Sequence, residues 1–240
     1  MANWCSNALH ISGKSEDIKH FIEVNTGLPA QYPLTERAKR AGETELVLTE
    51  PHFCFNALVP TPQAVLGLGF DGRKKLKAII EEQGEEAVEG MMDGWEWSNK
   101  NWGTTTDIYF DNFTLENCGW AEGITELTLC FYTAWNPPIS WLIKVAPQFP
   151  KVRLELEYAE AGMCLAGEII CKGEFVEDNR YDRETCMKMF GYIDDSDDSS
   201  CAKIAWREWL YWLHCCGYRL KRWALRILKF EKEEETDLPF

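Results

Sequence analysis

Several things are missing or scarce in this 240-residue chain, and each absence removes a class of function. Its ten cysteines contain no CxxC pair, and its four histidines, His10, His20, His52 and His214, are scattered. A structural zinc site needs paired ligands at short spacing, so neither metal nor cofactor is expected, and the cysteines read as reduced, small core residues. No run approaches the roughly 18 uncharged apolar residues that span a bilayer. The opening residues lack the basic stretch and apolar core of a secretory signal, so a cytoplasmic location is expected. Basic charge is also scarce: 25 Lys and Arg stand against 39 Asp and Glu, a formal charge of −14. Nonspecific DNA binding is therefore disfavoured, and a basic surface on another protein is the better partner.

Catalytic patterns are equally sparse. Gly67-Leu68-Gly69-Phe70-Asp71-Gly72 has the glycines of a phosphate loop but no Gly-Lys-Ser/Thr after it. Asp107, Asp111 and Glu116 do not share one face of a strand, so they read as solvated carboxylates. No nucleophile with a base at a useful spacing appears, and a non-catalytic protein is expected.

What is present is periodicity. Residues 4–12 alternate as a strand, with Leu9 and Ile11 on one face and Ala8 and His10 on the other, and Gly13 ends it. Ser15 opens a helix with Glu16 and Asp17 in its first turn and Ile18, Phe21 and Ile22 as its buried stripe. Residues 30–50 read as a polar insertion. Phe53 and Phe55 alternate about Cys54 as a second strand, and residues 73–92 are helical with a break near Gly84. Residues 107–113 and 124–135 are strand-like and predict a hairpin through Gly119 and Gly123. Pro137 and Pro138 open a helix carrying Ile139, Leu142 and Ile143, and residues 152–158 and 163–175 follow as paired strands. The order predicts an α+β fold, an antiparallel-rich sheet with helices on one face.

Three segments combine tryptophan with small polar residues: Asn3-Trp4-Cys5-Ser6-Asn7, the loop at residues 94–104, and Thr133-Ala134-Trp135-Asn136-Pro137-Pro138. Large rings beside Asn, Ser and Thr suit a recognition face, where apolar area is covered and polar edges stay usable. Trp95, Trp97 and Trp102 offer stacking surfaces, Asn99 and Asn101 offer polar edges and Lys100 a phosphate contact, as in nucleotide or single-stranded nucleic-acid binding; Trp135 and Asn136 add to the same candidate set. The competing reading makes these rings plugs for the open end of a small sheet. Glu81, Glu82, Glu85 and Glu86 form an exposed-looking acidic cluster suited to a basic partner.

The opening Met1-Ala2-Asn3-Trp4-Cys5-Ser6-Asn7, the stretch ending Leu58-Val59-Pro60-Thr61-Pro62, the turn Asn101-Trp102-Gly103-Thr104, the segment at residues 133–138 and Tyr158-Ala159-Glu160-Ala161-Gly162 together resemble the YubB-like, ferredoxin-like family carried by phages and plasmids. The resemblance covers about residues 1–175 and implies a ferredoxin-like sandwich and a mobile-element origin. It implies no catalytic residue. Here Thr105 and Thr106 precede Asp107 where the family commonly has a lysine and another tryptophan. With the acidic charge, this origin makes a host immune or nucleic-acid-processing protein the expected partner, and an anti-CRISPR-like inhibitor the expected role.

Beyond a ferredoxin-like domain at residues 1–180, the chain changes character. Residues 181–201 include Asp194-Asp195-Ser196-Asp197-Asp198 and read as an acidic linker. Trp206, Leu210, Leu213, Gly217, Leu220, Ala224 and Ile227 then recur at helical spacing, predicting an amphipathic appendage over residues 202–240, either one helix or a hairpin broken near Gly217. Arg207, Tyr218, Arg222, Arg226 and Lys229 lie across from its apolar side. Docking on the chain's own acidic body or homo-oligomer formation would bury that stripe.

Overall fold

Period-two alternation builds the first element: Cys5, Leu9 and Ile11 are buried on one face of β1 (Trp4–Ser12). The computed structural model describes residues 3–34, 39–40, 42, 50–108 and 113–190. Next comes α1 (Ser15–Val24), which buries Ile18, Phe21 and Ile22 as its spacing requires. Lys14, not Ser15, occupies the N-cap position. The Ser15 hydroxyl instead donates to the Ala121 carbonyl at 3.2 Å and accepts from the Gly123 amide at 3.1 Å, tying the helix start to the approach of a later strand.

The main sheet adds β4 (Glu126–Ala134), β5 (Arg153–Glu160), β6 (Leu165–Lys172) and β7 (Phe175–Arg180) to β1 in the order β4-β1-β5-β6-β7. Every neighbouring pair is antiparallel. A two-residue pair, β2 (Thr26–Gly27) with β3 (His52–Phe53), closes the base of the polar stretch at residues 28–51. Because β4 and β5 both run antiparallel to β1, they are parallel to each other. They and α5 (Ile139–Val145) therefore form a β-α-β unit with β1 inserted at its centre. The register places Leu129, Leu9, Leu156 and Ile169 side by side, and these join Phe21 of α1 and Trp141 and Leu142 of α5 in one core. The α+β sheet with helices is thus as expected. Other helices among the described residues are α2 (Gln63–Leu68), α3 (Arg73–Gln83) and α4 (Gly94–Asn101).

Three local expectations fail for identifiable reasons. The second strand shortens to His52–Phe53, because the amides of Phe55 and Asn56 bond the buried Asp107 carboxylate at 2.7 and 3.1 Å and Phe55–Ala57 turns as a 3-10 helix. The same carboxylate accepts from the Ile108 amide at 2.8 Å, so residues 107–108 are not strand; residues 109–112 of the expected hairpin lie outside the described residues, and β4 pairs with β1 over its whole length. The stretch at 163–175 divides at Gly173, whose positive φ of 58° turns the chain into β7.

The chain divides into two compact units, residues 1–182 and 183–240. Of the second, residues 183–190 are described. They contain α6 (Arg183–Met189), with an ion pair between Lys188 and Glu184 at 3.0 Å, so this part of the expected linker is helical. The acidic run at 194–200 and the basic segment with Arg207, Tyr218, Arg222, Arg226 and Lys229 lie outside the described residues. Among the described residues, no helix is long and apolar enough to cross a membrane.

Candidate recognition surface

The motif segments are far apart in sequence but meet at one end of the main sheet. Trp4 lies opposite Ala134 in the β1–β4 ladder, and the Trp135 amide donates to the Asn3 carbonyl at 2.9 Å. The Thr104 hydroxyl donates to the Ala134 carbonyl at 2.9 Å, and the Trp141 amide to the Trp102 carbonyl at 3.1 Å. Gly103 sits between them with φ of 89°; a Cβ there would stand 3.0 Å from the Ser140 nitrogen and 3.1 Å from the Pro137 oxygen. On the far side of β1, the Glu160 carboxylate accepts from the amides of Gly162 and Met163 at 2.9 and 2.6 Å. The Asn3 side chain fills the space a Cβ on Gly162 would need.

Below this end a buried polar chain holds the frame. The Asn7 amide group donates to the Cys5 carbonyl at 3.0 Å and to the Thr133 hydroxyl at 2.9 Å, and that hydroxyl donates to the Asn136 carbonyl at 2.8 Å. Buried polar groups satisfied in this way specify one geometry. Two rings stand out from the frame: Trp4 is 45% exposed and Trp135 37%. Trp135 also has a φ of 71°, a left-handed conformation that a bulky residue adopts at a cost of order 1–3 kcal/mol.

Residues 94–101 form the helix α4 where a loop is expected. Asp93 caps it by accepting from the Glu96 amide at 2.9 Å, and its other carboxylate oxygen accepts from Gly72 at 3.1 Å. Two residues apart in the helix, Trp95 and Trp97 lie on opposite sides of it, and Trp102 follows at its C-cap. Trp95 is 53% exposed, whereas Trp97 and Trp102 are buried, edge to face with centroids 5.3 Å apart. Trp102 donates its indole N–H to the Val59 carbonyl at 2.9 Å and packs on Phe55. The side-chain amides of Asn99 and Asn101 donate back to the carbonyls of Trp95 and Trp97 at 2.7 and 2.9 Å, and Lys144 donates to the Asn101 oxygen at 2.6 Å. The three-ring platform therefore does not form: Trp97 and Trp102 are core, the two asparagines are committed within the fold, and Trp95 and Lys100 face outward.

Glu81, Glu82, Glu85 and Glu86 are all exposed. They share α3 and the turn after it with Arg73, Lys74, Lys75 and Lys77, so the cluster is the acidic half of a charge-segregated segment.

A further group went unnoticed in the sequence. Glu155, Glu157 and Glu168 bring their carboxylate oxygens within 4.8 Å of one another, Arg153 pairs with Glu155, and His10 lies 3.9 Å from Glu157. Oxygen donors so placed suit a hard cation, with the Arg153 charge already offsetting part of theirs. The signal is the register that sets Glu157 opposite Glu168, which alternation within one strand does not supply. Asp107, expected as a solvated carboxylate, is fully buried, and burial pushes its carboxyl up to about 6 despite three amide donors and the nearby His52. Glu116 is exposed, and Asp111 lies outside the described residues.

The comparison with known families bears on the sheet. Residues 113–198 match the family described as a ferredoxin-like domain in Api92-like protein. That stretch contains β4, α5, β5, β6 and β7, and the fold is ferredoxin-like. Among solved structures, the chain is similar to the protein Api92 from Yersinia pseudotuberculosis at 11% identity and a TM-score of 0.48, covering 76% of this chain and 99% of that one. No curated protein matches.

Proposed function

We propose that this chain is a non-catalytic accessory protein of the YubB-like kind carried by phages and plasmids, and that it binds a host immune or nucleic-acid-processing protein through that partner's basic surface. Such binding would make it a counter-defence inhibitor. The observation that carries the reading is Trp135, an exposed ring held in a left-handed backbone by a buried hydrogen-bond frame. Rigid exposed aromatics make effective contact anchors, because little side-chain freedom is lost on binding. The charge of −14 adds long-range attraction to a basic partner, to which Glu81, Glu82, Glu85 and Glu86 contribute from an exposed position. Burial pushes the Cys5 thiol up to about 12, aided by the Glu160 charge, and Cys171 up to about 11, so neither of these two supplies a thiolate at neutral pH.

Nucleotide or single-stranded nucleic-acid binding is the alternative, and it retains only Trp95 and Lys100 of its proposed platform. Affinity capture from the host at about 0.1 and 1 M salt separates the two, since the Debye length falls from about 10 to about 3 Å. Recovery of a basic host protein that is lost at high salt is expected. A nucleotide copurifying in stoichiometric amount, with no host protein, would overturn the reading.

A further inference from the structure

α3 and the turn that follows it, Glu85–Val88, contain no buried residue. At 3.6 residues per turn, Leu76, Ile79, Ile80 and Gln83 fall on one side of α3, yet the three apolar ones are only half-buried and stand outside the core cluster of the described residues. An 11-residue helix is marginal in water without a packing partner. Its charges do not help it. Arg73, Lys74, Lys75 and Lys77 crowd the N-terminal half while Glu81, Glu82, Glu85 and Glu86 follow, the reverse of what the helix dipole favours, and neither end carries a compensating charge in its terminal turn.

This pattern is self-complementary. We propose that two copies of the chain associate through α3, packed antiparallel about a two-fold axis near Ile79. In that arrangement Leu76 of one copy meets Ile80 and Gln83 of the other. Lys75 and Glu82 flank the apolar stripe on one side and Arg73 and Lys77 on the other, whereas Lys74 and Glu81 lie round the back of the helix. The two-fold then sets Lys75 against the second copy's Glu82, and the basic half of each helix runs beside the acidic half of the other. Within one chain Lys75 donates to the Gly67 carbonyl at 2.9 Å from an exposed position, and the Lys77–Glu81 pair at 3.8 Å and the Arg73–Asp71 pair at 2.8 Å stay within each copy. Two such helices, each about 16 Å long, form a small interface, so the dimer is reversible and concentration-dependent. The inference does not rest on the function proposed above, although Glu82 is one of the glutamates assigned there to long-range attraction; the end bearing Trp4 and Trp135 is not part of it.

Analytical ultracentrifugation of the full chain tests it. The wild-type protein should pass from the mass of one 27.7 kDa chain to that of two as concentration rises through the micromolar range. K75E makes the Lys75/Glu82 flank acidic and E82K makes it basic, so each variant sets like charges against each other across the two-fold. Each should sediment as a single chain, and an equimolar mixture should regain the double mass, with circular dichroism showing both variants folded. A wild type monomeric throughout, a dimer indifferent to both variants as expected if residues 202–240 mediate assembly, or a mixture that stays monomeric would each overturn the proposal.

Discussion

At the residue scale, the tryptophans divide by role. Trp102 is enclosed, donates to Val59 and packs against Trp97 and Phe55, so Trp102→Ala should lose about 3–5 kcal/mol of stability, measured by denaturant unfolding. Trp95→Ala should change stability by less than about 0.5 kcal/mol, because the ring is exposed. Asp107 sets a pH dependence whose sign follows from burial. Its carboxyl titrates near 6 in the fold against an ordinary 3.8, so the folded state holds a proton that the unfolded state has already released. That contribution is fully present below about pH 4 and is lost as pH rises to about 6, by on the order of 3 kcal/mol. Unfolding curves between pH 4 and 7 should show the decline in the wild type and its absence in Asp107→Asn. An equal decline in both would place its origin elsewhere.

At the element scale, Gly103 joins the turn after α4 to the start of α5. A methyl group there meets backbone on the facing segment and is strained by the positive φ, so Gly103→Ala should destabilise by about 1–3 kcal/mol, read from the midpoint of urea unfolding. Elements also differ in how legible they were. β1, α1 and α3 could be read because their periods are regular and their stops are explicit: Gly13 after β1, and Gly84 with φ of 90° after α3. α4 could not, because Trp95, Trp97 and Trp102 do not share one face of a helix, so the segment shows no stripe. β7 was hidden because residues 175–180 are almost all exposed and lack alternation. The end of the second strand was lost to Asp107, some fifty residues away in sequence. Amide hydrogen exchange should rank these elements, with α3 exchanging well before β1 and β5 at low protein concentration, since none of its residues is buried.

At the scale of the whole molecule, the motifs carrying the family resemblance turn out to be neighbours at one end of the sheet, which their spacing alone did not require. The ladder pairing Trp4 with Ala134 and the bond from Trp135 to Asn3 bring them together, and much of what they do is structural: Gly103, Thr104, Asn7 and Thr133 serve the frame. The glutamates on β5 and β6 were invisible for the related reason that register, not local sequence, assembles them. In the function proposed above, the exposed pair Trp4 and Trp135 at the motif end meets the partner while the buried tryptophans support the fold. The most direct measurement is a calorimetric titration of the recovered host protein with wild type and with Trp135→Gly. Glycine relieves the left-handed strain while removing the ring. Affinity should fall at least tenfold, about 1.4 kcal/mol, with circular dichroism showing the variant folded. Wild-type affinity in the folded Trp135→Gly protein would contradict the account.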